Sequence, residues 1–169
     1  MQLSAHSQRL ADQFQRTGTI PGGRVLPRSD AGRDVPEAIG NYREMLMETV
    51  RLDDGAYDAA PGYGHVRVTY PQGTEGLRPH TSESTWSMQG QDAALSQTLS
   101  FSPQGRTFDE SQVDHVQHWE VRYHPKGVQA LSIFETPGRE PSADLSIFDA
   151  VNPSRSHVRQ FSPEEWLIA

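Results

Sequence analysis

The sequence predicts an α+β domain: one or two N-terminal helices packed on a curved antiparallel meander sheet of about six strands, half-barrel-like, with a short helical turn at the C-terminus. Three observations carry this. Apolar residues recur at helical spacing only before about residue 55. From His65 onward they alternate with polar ones. The alternating runs are separated by short clusters of Gly, Pro, Asn and Asp, the spacing of hairpins.

A chain of 169 residues is the usual size of one domain. Its hydrophobic fraction is 34%, and with 14 Gly and 12 Pro a loop-rich fold with a modest core follows. Residues 1–33 carry five arginines against Asp12 and Asp30. This piece is polar and basic, while the remainder holds the acidic excess. Leu3, Leu10, Ala11 and Phe14 form one weak helical stripe, and "TGTIPGGRVLPRSDAGR" after it has linker composition. The reading is a basic N-terminal arm over 1–33, partly disordered and dispensable for folding, followed by a single α+β domain over 34–169.

"DVPEAIGNYREMLMETVRLDDG" is the strongest helix signal. Val35, Ile39, Tyr42, Leu46 and Val50 fall on one face, Asp34 and Glu37 have capping-box spacing around Pro36, and Gly55 offers a stop. Strands follow at "HVRVTY", "STWSMQG" and "AALSQTLSFSP", the last with Leu95, Leu99 and Phe101 on one side and Ser96, Thr98 and Ser100 on the other. "VDHVQHWEVRYHPKGVQALSIFE" gives two more around the turn "HPKG". Leu-Ser-Ile-Phe occurs at 131–134 and again at 145–148, with "TPGREPS" among the residues between. Two copies are too few for a solenoid, and the turn formers between them predict adjacent antiparallel strands. In "QFSPEEWLIA", Ser162 and Glu165 have capping-box spacing, and Phe161 and Trp166 are placed as a hydrophobic staple, so a helical turn is expected there.

Charge and composition narrow the functions. The net charge of −7 opposes a phosphate backbone, so nucleic acid is not an expected partner. The absence of cysteine excludes disulfides, thiolate nucleophiles and Cys-ligated metals. No run is long and apolar enough for a membrane span, and the N-terminus lacks the order of a secretory signal. A cytoplasmic location follows by default, with signal-peptide-independent translocation compatible with the polar leader. G-x-S-x-G, phosphate-cradling and H-E-x-x-H motifs are absent, so no cofactor and no metal is expected.

The one concentration of chemically able side chains is "DHVQHWEVRYH". Alternation puts His118, Glu120 and Arg122 on one face of the strand and His115, Trp119, Val121 and Tyr123 on the other. Imidazole and carboxylate two residues apart suit a metal or a base with its orienting acid. The stronger reading is a solvated strand face, which an antiparallel strand normally presents and where replacing His118 would change stability by about 0.5 kcal/mol or less. Arg67 with Ser84 and Glu120 or Glu135 is a looser candidate set for a nucleotide, and Trp86 for the wall of a ligand cavity. The reading that follows leans away from an enzyme. It is a protein-interaction module of a bacterial-type soluble protein, in an inhibitor, immunity, effector or secretion-accessory role, whose partner is another protein. The alternative is a small-ligand-binding protein or metal-dependent enzyme that uses the polar face of strand 113–124. A concave site around His118, Glu120 and Arg122 favours the second; a flat open face favours the first.

Overall fold

The structure is a computed structural model that describes residues 3–26, 35–53, 62–70, 79–101 and 115–161. Its elements are α1 (Ala5–Thr17), β1 (Arg24–Leu26), α2 (Val35–Leu52), β2 (Tyr63–Thr69), β3 (Thr81–Gln89), β4 (Asp92–Phe101), β5 (His115–His124), β6 (Gly127–Glu135), β7 (Ser142–Asp149) and β8 (His157–Phe161). The strands make one antiparallel sheet in the order β1-β8-β7-β6-β5-β4-β3-β2, which is not closed. From β2 to β8 every strand pairs with its neighbour in sequence, as the meander expectation requires.

The sheet has eight strands rather than about six. The two that the sequence analysis misses are β1, three residues inside a Gly/Pro-rich stretch, and β8, "HVRQF", whose apolar alternation is too weak to stand out. The expected C-terminal turn at 162–169 lies outside the described residues, as do Asp34 and Gly55, the cap and stop read for α2.

The repeated tetrapeptide does form a neighbouring antiparallel pair. Leu131 lies opposite Leu145, and Ile133 opposite Ala143, so the Leu and Ile of both copies share one face of the sheet. Strict alternation along β6 then separates two cores. Leu131 and Ile133, with Ala143, Leu145 and Phe161, pack against Leu10, Ala11, Phe14 and Ile20 of the N-terminal segment. Val128 and Ala130, with Trp86, Leu95 and Val121, pack against Val35, Ile39, Leu46 and Val50 of α2. The two helices therefore lie on opposite faces, and the sheet is the middle layer.

This corrects the expectation of a peripheral arm. Leu10, Ala11 and Phe14 are at most 3% exposed, and a fully buried Leu or Phe contributes about 1.5–3 kcal/mol. The helix is also anchored at its start. Ser4 caps it, accepting from the Ser7 N–H at 3.3 Å, while its own N–H and hydroxyl donate to the buried Glu135 carboxylate at 3.0 and 2.6 Å. A carboxylate at that end also opposes the positive pole of the helix dipole.

On the other face, α2 is tied down by Asp53, whose carboxylate accepts from the Trp86 indole at 2.9 Å. Gly64 on β2 makes this possible, because a Cβ there would lie 2.7 Å from the indole ring and collide with the Asp53 carboxylate. Farther along the same face of the sheet, Asp144 has a buried oxygen without a partner, and desolvation raises its pKa. A raised folded-state pKa in an acid means that ionisation opposes folding, so the deficit is present above that pKa and vanishes below the unfolded value. Asp144→Asn is expected to stabilise the fold by about 0.5–1 kcal/mol at neutral pH. The gain over wild type should shrink as melting is followed into acid through the carboxylate range; a gain independent of pH would assign it to something other than the charge.

Candidate functional site

α1 covers only part of its face of the sheet. It packs over β5 to β8, and the β2–β5 half of that face is left as the floor of a cleft of about 560 Å³. Phe14 and Gln15 of α1 form one wall. Alternation explains the floor: Tyr63 and His65 of β2, Thr85 and Ser87 of β3, Ala94 and Ser96 of β4, and Glu120 and Arg122 of β5 all point to the same side. Of these side chains, Thr85, Ser87 and Ser96 are small and hydroxylic. Two are charged and adjacent along β5.

Glu120 is the centre of the site. It is 3% exposed, and its Oε1 accepts from His118 Nε2 at 2.6 Å, Ser96 Oγ at 2.7 Å and Gln15 Nε2 at 2.8 Å. A buried carboxylate is tolerated only with such donors. All three bonds fall on Oε1, and Oε2 takes none from any described residue. Strand register brings the partners together, because Ser96 pairs directly with Glu120 and Thr98 with His118. The Thr98 hydroxyl lies 2.8 Å from His118 Nδ1, so both ring nitrogens are bonded; with the Nε2 proton directed at Glu120, Nδ1 accepts from Thr98.

Thr98, His118 and Glu120 thus have the connectivity of a nucleophile–base–acid chain, but Thr98 does not line the cleft. The hydroxyl end of the chain is turned away from any molecule in the cleft. What the network does is hold the Glu120 carboxylate in one orientation at the cleft wall. Beyond it, Arg122 is exposed, with its guanidinium against Gly18, the αL residue (φ 72°) that ends α1. A side chain at position 18 would collide with that guanidinium.

The sequence candidates fare differently. His118 and Glu120 are brought together, but under α1 and not on a solvated face; His118 is 4% exposed. Arg122 joins them at the cleft. Arg67 does not: it is exposed on β2 opposite Glu83, with β3 and β4 between it and His118. Ser84 points to the α2 side and Glu135 holds the start of α1, so the Arg67, Ser84 and Glu120 or Glu135 set is not assembled. Trp86 is 2% exposed and belongs to the α2 core, hydrogen-bonded to Asp53. His115 is stacked between Phe101 and Phe134, with centroids at 4.2 and 4.9 Å.

Gln15, Ser96 and Thr98 were not among the sequence candidates. The polar alternation of β4 is visible in the sequence, and pairing it in register with β5 would have found Ser96 and Thr98. Nothing local marks Gln15. Among the described residues no group of three or more His, Asp or Glu side chains converges as a metal site, and no helix is long and apolar enough to cross a membrane. No protein-family model, curated protein or solved structure matches this chain, so its function is read from the chemistry of the cleft itself.

Proposed function

We propose that the chain is a small-ligand-binding protein whose site is the cleft between α1 and strands β2–β5. The observation that supports it is Glu120: a carboxylate nine-tenths and more buried, oriented by three donors on one oxygen, at the wall of a cleft of ligand size. Of the two dispositions the sequence leaves open for the His118 face, this is the concave one. Glu120 is the anchoring acceptor, His118 and Gln15 are positioning residues that act through it, and the hydroxyls of Ser87 and Thr85 complete the floor.

A thermal-shift screen of small polar compounds tests this, run in parallel on wild type and Ala94→Trp. Ala94 lies on the floor between Ser87 and Arg122, so an indole there fills the cleft without removing any member of the Glu120 network. Compounds that raise the melting temperature of wild type but not of a folded Ala94→Trp support the site. A screen in which none does, or in which both proteins respond alike, overturns it.

The interaction reading keeps one observation in its favour. Among the described residues β2 is a seven-residue edge strand that begins at Tyr63, 72% exposed, and an open edge accepts a partner's strand by main-chain pairing. Such a partner would bind wild type and Ala94→Trp equally.

A further inference from the structure

Resting on the cleft reading, we infer that the ligand is a free α-amino acid, held by its ammonium on Glu120 and its carboxylate on Arg122. The two side chains stand two residues apart on the same face of β5, about 7 Å along the strand. Both line the cleft, and each has unused capacity. Among the described residues Oε2 of Glu120 receives no donor, and Arg122 makes no hydrogen bond or ion pair. They are not paired with each other.

A molecule that satisfies both must present a cationic donor and an anionic acceptor close together. The ammonium and carboxylate of an α-amino acid sit on one carbon, so a single small molecule presents both charges to two side chains that share one face of β5 and line one cleft. A neutral polyol would also find hydroxyl partners on this floor, but it would leave the carboxylate and the guanidinium without counter-charges. Charge-assisted bonds are roughly twice as strong as neutral ones, so the zwitterion is the better complement. Ala94, half-buried on the floor, offers apolar surface for a side chain. The floor also runs on past Arg122: a second concavity of about 750 Å³ shares Ser87, Ala94 and Arg122 with the first, leaving room beyond the guanidinium.

The experiment is isothermal titration of the full chain with the common L-α-amino acids one at a time at millimolar concentration, then with the N-acetyl and C-amide derivatives of any that bind. Saccharides and nucleosides are titrated alongside. The expected result is binding of at least one free amino acid and a loss of about 10–100-fold for each derivative, the value of one charge-assisted contact. Arg122→Gln should weaken the free acid and close its gap to the amide, with little change in melting temperature because the side chain is exposed and makes no hydrogen bond to a described residue. Affinity that survives both N-acetylation and amidation overturns the inference. So does binding of a saccharide or nucleoside alone; if Ala94→Trp abolishes it, the cleft reading stands and only the zwitterion falls. If no compound of any class shows binding that Ala94→Trp removes, the cleft reading falls and this inference with it.

Discussion

Phe14→Ala is expected to lower the stability of the fold by about 3–5 kcal/mol, as loss of a fully buried aromatic side chain does. Phe14 is 1% exposed, seated with Leu10 and Ala11 on Leu131, Ile133, Ala143, Leu145 and Phe161. No other described helix reaches that face, so the cavity has nothing to collapse onto except the sheet itself. The change should also disturb the cleft, because Phe14 and Gln15 are its α1 wall. Urea unfolding measures the first effect. A loss under about 1 kcal/mol would mean that α1 does not dock on the sheet in solution. Arg16→Gln, exposed on the same helix, is the control and should be near neutral.

His118→Ala is expected to cost about 2–4 kcal/mol, against the near-neutral change that a solvated strand face would give. Three losses combine. The imidazole volume is removed from a site 4% exposed, the Thr98 hydroxyl loses its partner, and the buried Glu120 carboxylate loses the donor at 2.6 Å. Glu120→Gln should cost less, since an amide keeps one oxygen for Ser96 and Gln15. It should still weaken any ligand that needs the negative charge. Chemical denaturation of the two variants separates these outcomes, and equal near-zero changes for both would show that the network is open to water.

The amino-acid sequence by itself determined the local and the sequential. The heptad-like spacing of Val35, Ile39, Leu46 and Val50 makes α2 and its buried face whatever it packs on. Alternation with intervening turn formers makes the strands, and strands joined by short turns pair with their neighbours, so the meander and the pairing of the two Leu-Ser-Ile-Phe copies were legible. So were the faces of β5, because a period of two assigns each side chain to one side. The sequence could not say which side would be covered. α1 has only a narrow apolar stripe in a polar helix, a pattern that suits a frayed arm as well as a docked one. Its docking is decided by residues more than a hundred positions away, Leu131, Ile133, Leu145 and Glu135, whose surface needs a cover. Once α1 is placed, His118 and Glu120 change from exposed to buried, Gln15 arrives over the carboxylate, and the uncovered remainder of the face becomes a cleft. Burial is a property of what lies above a residue, and that is set by long-range packing that no window of sequence contains.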